Sequence, residues 1–251
     1  MRTVAVSFLA IALFSASACT EVEVSVSGGK KLGTLRCDPG HLSLGMVGHD
    51  QEKGNWCWAA SAQSIVTYHG YGNIGQCDLV TQARITRIQE AIQGLPPGLF
   101  TGCCNEPQLI WTTIPDPVTN LPIFIPEKNS FAAYRAYTNN CLDGGWPHEV
   151  LNYYNMRYDL TAQYKALRWN ALQHQLCDFG PFIFIVQWLG GGLHTGVVEG
   201  YHTTNVSGYE RWVELDDHGH AGFFVKPYDE FVYDPTEHRH YRDYINIRRG
   251  A

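Results

Sequence analysis

Cys57 opens an apolar run, CWAASAQSIVTYH, and stands six residues after Gln51 in the segment QEKGNWC. A thiol at a helix start faces unpaired backbone N–H groups and the positive end of the helix dipole. Both lower its pKa and favour thiolate. On the loop before it, Gln51 carries an amide N–H₂ suited to an oxyanion forming beside that sulfur, and the Cys57 N–H supplies a second donor. The base for such a nucleophile is His194, in GGGLHTGVVEGY. It sits at the mouth of a strand, after glycines that let it approach a partner without crowding. A carboxylate completes the set in VELDDH, where strand alternation puts Val213, Leu215 and Asp217 on one face and Glu214 and Asp216 on the other. An inward carboxylate is expected to accept His194 Nδ1–H, fixing the tautomer and steadying the imidazolium. Asp217 ranks ahead of Asp216 because it shares the hydrophobic face. The chemistry these residue types support is nucleophilic attack by a thiolate.

The elements that must position these groups follow from the hydrophobic pattern. Residues 57–69 have Ala, Ile and Val at helical spacing and stop at Gly70, which predicts a mostly apolar and therefore buried helix. A second helix is expected over 78–93, capped by Asp78 and ended by Gly94. Pro147 starts a third, in PHEVLNYYN, and ALRWNALQHQLCDFG carries a fourth that ends before Gly180-Pro181. Between them, residues 95–130 hold Pro96, Pro97, Pro107, Pro115, Pro117, Pro122 and Pro126 with the vicinal Cys103-Cys104, an irregular stretch of the kind that is functional or pinned by cross-links. The texture then changes. FIFIVQW, HTGVVEGY, RWVELDD, GFFVKP and YRDYINIR are β-branched or aromatic runs between turn residues. Helices followed by strands predict an α+β protein whose last seventy or so residues form an antiparallel sheet.

Composition excludes several classes. The 251 residues are 45% hydrophobic and 17% charged, with a net charge of -6, so nothing is built to hold nucleic acid or an anionic membrane face. Arg2, the apolar run 4–14 and Ala16-Ser17-Ala18 read as a secretory signal over 1–18, which places the mature chain outside the cell, in the periplasm or at the cell envelope. Cys19 follows at once, so lipoprotein processing, with a lipid anchor on Cys19, stands as the alternative to free secretion. Residues 19–48 form an N-terminal arm with a Glu-Val-Glu-Val-Ser-Val alternation that suggests a short strand. The eight cysteines fit an oxidising compartment. With Cys57 a free nucleophile and Cys19 set aside, six remain for up to three disulfides, whose connectivity the spacing does not choose.

The order of Gln51, Cys57, its helix, a long interval, GGxH on a strand and a strand ending in Asp resembles the papain-like cysteine proteases. The closest likeness is to the bacterial secreted avirulence-effector-type group. It rests on the Gln-to-Cys spacing, the CWAAS run, QC before a helix, the Cys-Cys pair and GGGLH before Gly-Tyr, and it covers roughly residues 49–231. The resemblance implies a two-lobed papain-like domain over 49–251. A helical lobe (about 49–178) would carry Cys57 and a sheet lobe (about 179–251) His194 and the Asp, with a polypeptide substrate in the cleft between. It implies no metal and no organic cofactor. Where that group commonly has Asp-Pro, this chain has Asp217-His218, and Thr195 and Glu199 interrupt a strand that is usually plainer.

Other functions are weighed against this one. A catalytically silent papain-like binding module would be signalled by loss of Gln51, Cys57 or His194, and all three are present. A transglutaminase-like acyl transferase usually brings its His closer to its Cys. The pairs His218/His220 and His238/His240, with His202 near them, put rings on one strand face, but no carboxylate or cysteine completes a metal set. Trp56 and Trp58 are expected to pack and wall the cleft.

Overall fold

A computed structural model describes residues 37–117, 119–205, 207, 210–217 and 223–250. The signal segment, Cys19, the Glu-Val alternation and the His218/His220 pair lie outside these residues. The architecture is mixed α+β, with helices packed on a large antiparallel sheet. Along the chain come β1 (His41–Ser43), α1 (Cys57–Tyr68), α2 (Gln76–Ala83), α3 (Ile85–Ala91), β2 (Trp111–Pro115), β3 (Pro122–Pro126) and α4 (Lys128–Tyr137). Next are α5 (Pro147–Tyr153), β4 (Met156–Leu160), α6 (Trp169–His174), β5 (Phe182–Trp188), β6 (Leu193–Thr203) and β7 (Arg211–Asp216). The described chain ends with β8 (Phe223–Pro227), α7 (Tyr228–Val232), β9 (Tyr233–Asp234) and β10 (His238–Arg249).

The main sheet runs β4-β10-β5-β6-β7-β8, with β1 added to β6 and β9 to β10. Its strands alternate between two cores. Ile183, Ile185, Val197, Tyr244 and Ile247 pack with α1 and α5 on one face, while Phe182, Phe184, Val186, Val198, Val213 and Leu215 pack with α6 and α7 on the other. Helix α1 is buried from Trp58 to Val66 without a break. Its buried serines and glutamine are all bonded. Ser61 Oγ donates to Thr195 Oγ1 at 3.1 Å, Ser64 Oγ to Asp216 at 3.0 Å and Gln63 Nε2 to the Ile74 carbonyl at 2.7 Å. The helix ends where the apolar pattern does, with Gly70 at φ 77°.

Four expectations are corrected. The helix placed over 78–93 is two helices that meet at Arg84, whose backbone leaves helical values (φ −111°, ψ 13°) as its side chain turns inward. Asp78 is no cap but lies in the first turn of α2, which begins at Gln76. In the Pro-rich segment, β2 and β3 pair as a two-stranded ribbon off the main sheet. The prolines at Pro115, Pro122 and Pro126 occupy its ends, where a missing N–H disturbs little of the ladder. The fourth helix is short and continues as a π-turn (Gln175–Phe179) up to Gly180. Three disulfides cross-link the chain, Cys37–Cys177, Cys77–Cys104 and Cys103–Cys141, and Cys57 is the free cysteine among the described residues. Among those residues no helix is long and apolar enough to cross a membrane.

Candidate active site

Cys57 is the first residue of α1, half-buried, at the point where the buried helix reaches a cleft of about 1070 Å³. Gln51, Cys57, Trp146, Trp188, His194 and Asp217 all line that cleft. Burial works to raise the thiol pKa, but His194, through a hydrogen bond and its charge, outweighs it together with the Thr195 hydroxyl and N–H. The Cys57 thiol is thereby held below its ordinary value. Burial likewise opposes charge on His194, yet its bonds to Asp217 and Cys57 push its pKa up to about 9. His194 Nε2 and Asp217 Oδ1 stand 2.6 Å apart, with both side chains mostly buried. The ring thus offers Nε2 to the carboxylate, not the expected Nδ1, because Nδ1 is the nitrogen left for the Cys57 side. Trp188 lies tilted over His194 at 5.6 Å between ring centroids. A thiol facing an imidazole held this way can pass its proton to the ring, the arrangement that makes a sulfur nucleophilic.

Gln51 shares the cleft with Cys57, and its Nε2 donates to the Gly54 carbonyl at 3.1 Å. Its loop is anchored by Gln76, a fully buried side chain that donates to the Asp50 carbonyl (2.6 Å) and accepts from the Glu52 N–H (2.8 Å). Trp56 Nε1 donates to the Cys141 carbonyl and Asn55 Nδ2 to the Leu142 carbonyl, so the loop before Cys57 is tied down on both sides. Neither Gln76 nor Thr195 stood out in the sequence as part of the site. For Thr195 a signal existed: a hydroxyl on an inward strand position beside His194. With its oxygen accepting from Ser61, its own proton is directed at the Cys57 sulfur.

Asp216, the second choice for the carboxylate, faces away from His194 and toward α1, where Ser64 Oγ donates to it. It is 3% exposed. Burial is the main cause that raises its pKa to about 6, against the opposing effects of Ser64 and His49. The sign of the linkage is direct. A carboxyl with a raised folded pKa loses stability as pH climbs from its unfolded value near 3.9 through 6. Asp216→Asn is therefore expected to match the native protein at pH 3.5 and exceed it by up to about 3 kcal/mol at pH 7.5. Thermal unfolding at the two pH values checks this, and an increment that does not depend on pH refutes it.

The remaining histidines are engaged locally. His240 Nε2 lies 2.7 Å from Asp243, His238 Nε2 is 3.4 Å from the Phe231 carbonyl, and His202 stacks on Trp212. Against the expectation that no carboxylate accompanies these histidines, Asp234 and Glu237 stand beside His238. The Lys226 ammonium stands 3.4 Å from both of those carboxylates and supplies the cation there. No protein-family model matches the chain, and no curated protein matches it.

Proposed function

We propose that this protein is a cysteine hydrolase that works by acyl transfer. More particularly, we read it as an exported endopeptidase of papain-like, two-lobed build, with a cleft lined by residues of both 49–178 and 179–251. The observation that carries the reading is the arrangement of Cys57, the free described cysteine, against a His194 that Asp217 holds at 2.6 Å. In this scheme the Cys57 thiolate attacks the carbonyl carbon of a peptide and forms a C–S bond. Gln51 and the Cys57 N–H meet the oxyanion. The imidazolium of His194 gives its proton to the departing nitrogen as the C–N bond breaks. Water, deprotonated by His194, then attacks the thioester, releases the acid product and restores the thiol. Asp217 keeps the ring oriented throughout and stabilises its charged form in the steps where the ring holds both protons. No step calls on a metal or an organic cofactor.

The test is digestion of an unfolded polypeptide such as β-casein by the purified mature chain. Internal cleavage is expected, abolished by one equivalent of iodoacetamide that peptide mapping finds on Cys57, abolished in Cys57→Ala, and indifferent to EDTA. If Cys57 reacts only above pH 8, the protease reading fails and a binding module replaces it. If amines are incorporated into glutamine side chains without hydrolysis, the reading shifts to a transglutaminase-like transferase.

A further inference from the structure

Five consecutive carbonyls, from 140 to 144, accept side-chain hydrogen bonds. Arg84 Nη1 donates to Asn140 (2.7 Å) and Asp143 (3.3 Å), and its Nη2 donates to Gly144 (3.0 Å). Trp56 Nε1 takes Cys141 at 2.5 Å and Asn55 Nδ2 takes Leu142 at 3.1 Å. The Arg84 Nε and Nη2 also hold Glu149 (2.9 and 3.4 Å), and Glu149 Oε1 in turn accepts from the Trp146 N–H at 3.1 Å. Arg84 is 3% exposed, and its guanidinium carbon sits over the Trp58 ring, 4.6 Å from the ring centroid. Gly144, Gly145 and Trp146, at the end of this segment, line the cleft that also holds Cys57 and His194. A Cβ on Gly145 would collide with Arg84 Nη2 and the Trp58 indole, so the wall rests directly on that pair.

We propose that Arg84 is a positioning residue that indexes this wall to the nucleophile. This rests on the reading of the cleft as a peptide site. One rigid cation grips the backbone of 140–144 with one edge and Glu149 with another, and it sits over the indole next to Cys57. The wall therefore stands at a fixed distance from the sulfur without contributing a side chain of its own at Gly144 or Gly145. Only a planar fork does all three. A lysine in its place keeps the charge beside Glu149 but has one ammonium, no guanidinium to set over Trp58, and too few donors for four acceptor groups. Arg84 touches neither Cys57 nor His194, so the chemistry of the thiolate is independent of it while the seating of an extended chain is not.

The experiment compares two reagents on Cys57 in the intact protein, without requiring turnover. Iodoacetamide reads the Cys57–His194 pair, and the fastest of a panel of tripeptidyl chloromethyl ketones reads the cleft wall as well. Arg84→Lys is expected to slow the peptidyl reagent at least about tenfold, with the iodoacetamide rate and its pH profile unchanged within about twofold. For peptide hydrolysis the loss is expected in KM more than in kcat. Asn55→Ala, which removes one exposed tether and leaves Arg84–Glu149 in place, is expected to shift the same ratio in the same direction by a smaller factor. Equal slowing with both reagents, or none with either, overturns the proposal, as does a wild-type cleft that shows no preference for the peptidyl reagent. If the split is seen but the protein hydrolyses no peptide, the protease reading falls and the role of Arg84 stands.

Discussion

His194→Ala is expected to lower peptide hydrolysis at pH 7 by at least about 10³-fold and to move Cys57 alkylation to alkaline pH. The two shifts at the site define the window. The thiol is held below its ordinary 9.0 and the imidazole is raised to about 9, so thiolate and imidazolium coexist between those limits. Activity should therefore rise as pH climbs through the lowered Cys57 value and decline again near 9, where His194 loses its proton. Without His194, the hydrogen bond and charge that offset burial are gone. Burial then pushes the thiol upward, leaving only the two bonds from Thr195 against it. The measurement is the second-order alkylation rate of Cys57 from pH 4 to 10 in both proteins, with the native profile showing the acid shoulder that the variant lacks. An identical profile in the two would mean that His194 does not govern the sulfur. Stability carries the same sign. A histidine whose folded pKa exceeds its unfolded 6.5 stabilises the fold fully below 6.5 and less as pH rises through 9, so the difference between native and His194→Ala thermal midpoints should narrow at high pH.

How much of this was legible depends on the range of the contact involved. Cys57, His194 and Asp217 could be picked out because each sits at the end of a locally recognisable element and only residue type and alternation were needed. The same alternation separated Asp217 from Asp216: one side chain reaches His194 and the other reaches Ser64 on α1. The choice of Nε2 over Nδ1 could not be read, since it depends on where α1 lies relative to β6. The break at Arg84 was hidden for a similar reason. The apolar period runs through 78–93, and what ends α2 is a set of carbonyls some 60 residues further on. The strand β4 escaped notice because MRYDL is short and polar, as suits an edge position beside β10. The ribbon of β2 and β3 was masked by its prolines. The N-terminal arm is held by a bulge in β6, where Glu199 breaks the register with β7 and accepts from the Met46 N–H at 2.9 Å. In the sequence that glutamate was only an interruption of an apolar strand.

The disulfide Cys103–Cys141 makes the cleft wall a matter of redox state as well as of packing. Both half-cystines are buried, and the carbonyl of Cys141 is the acceptor for the Trp56 indole immediately before Cys57. The bridge spans 38 residues, which contain the whole β2–β3 ribbon and α4, and it joins this excursion to the segment that Arg84 grips. Loop-closure entropy for a link of that span is about 4 kcal/mol, a large share of the 5–15 kcal/mol by which a domain is stable. Cys103→Ala/Cys141→Ala is accordingly expected to lower the unfolding free energy by about 2–4 kcal/mol in urea, and an unchanged midpoint would refute this. The proposed reaction adds a second condition, because it needs the sulfur of Cys57 reduced while the sulfurs of 103 and 141 stay joined. Hydrolysis by the native chain should rise with a low concentration of thiol that uncaps Cys57, then fall at concentrations that open the buried bridge. The double variant should begin lower and show no such fall. If native activity climbs without limit in strong reductant, the wall does not depend on the bridge, and the Arg84, Trp56 and Asn55 hydrogen bonds hold the segment alone.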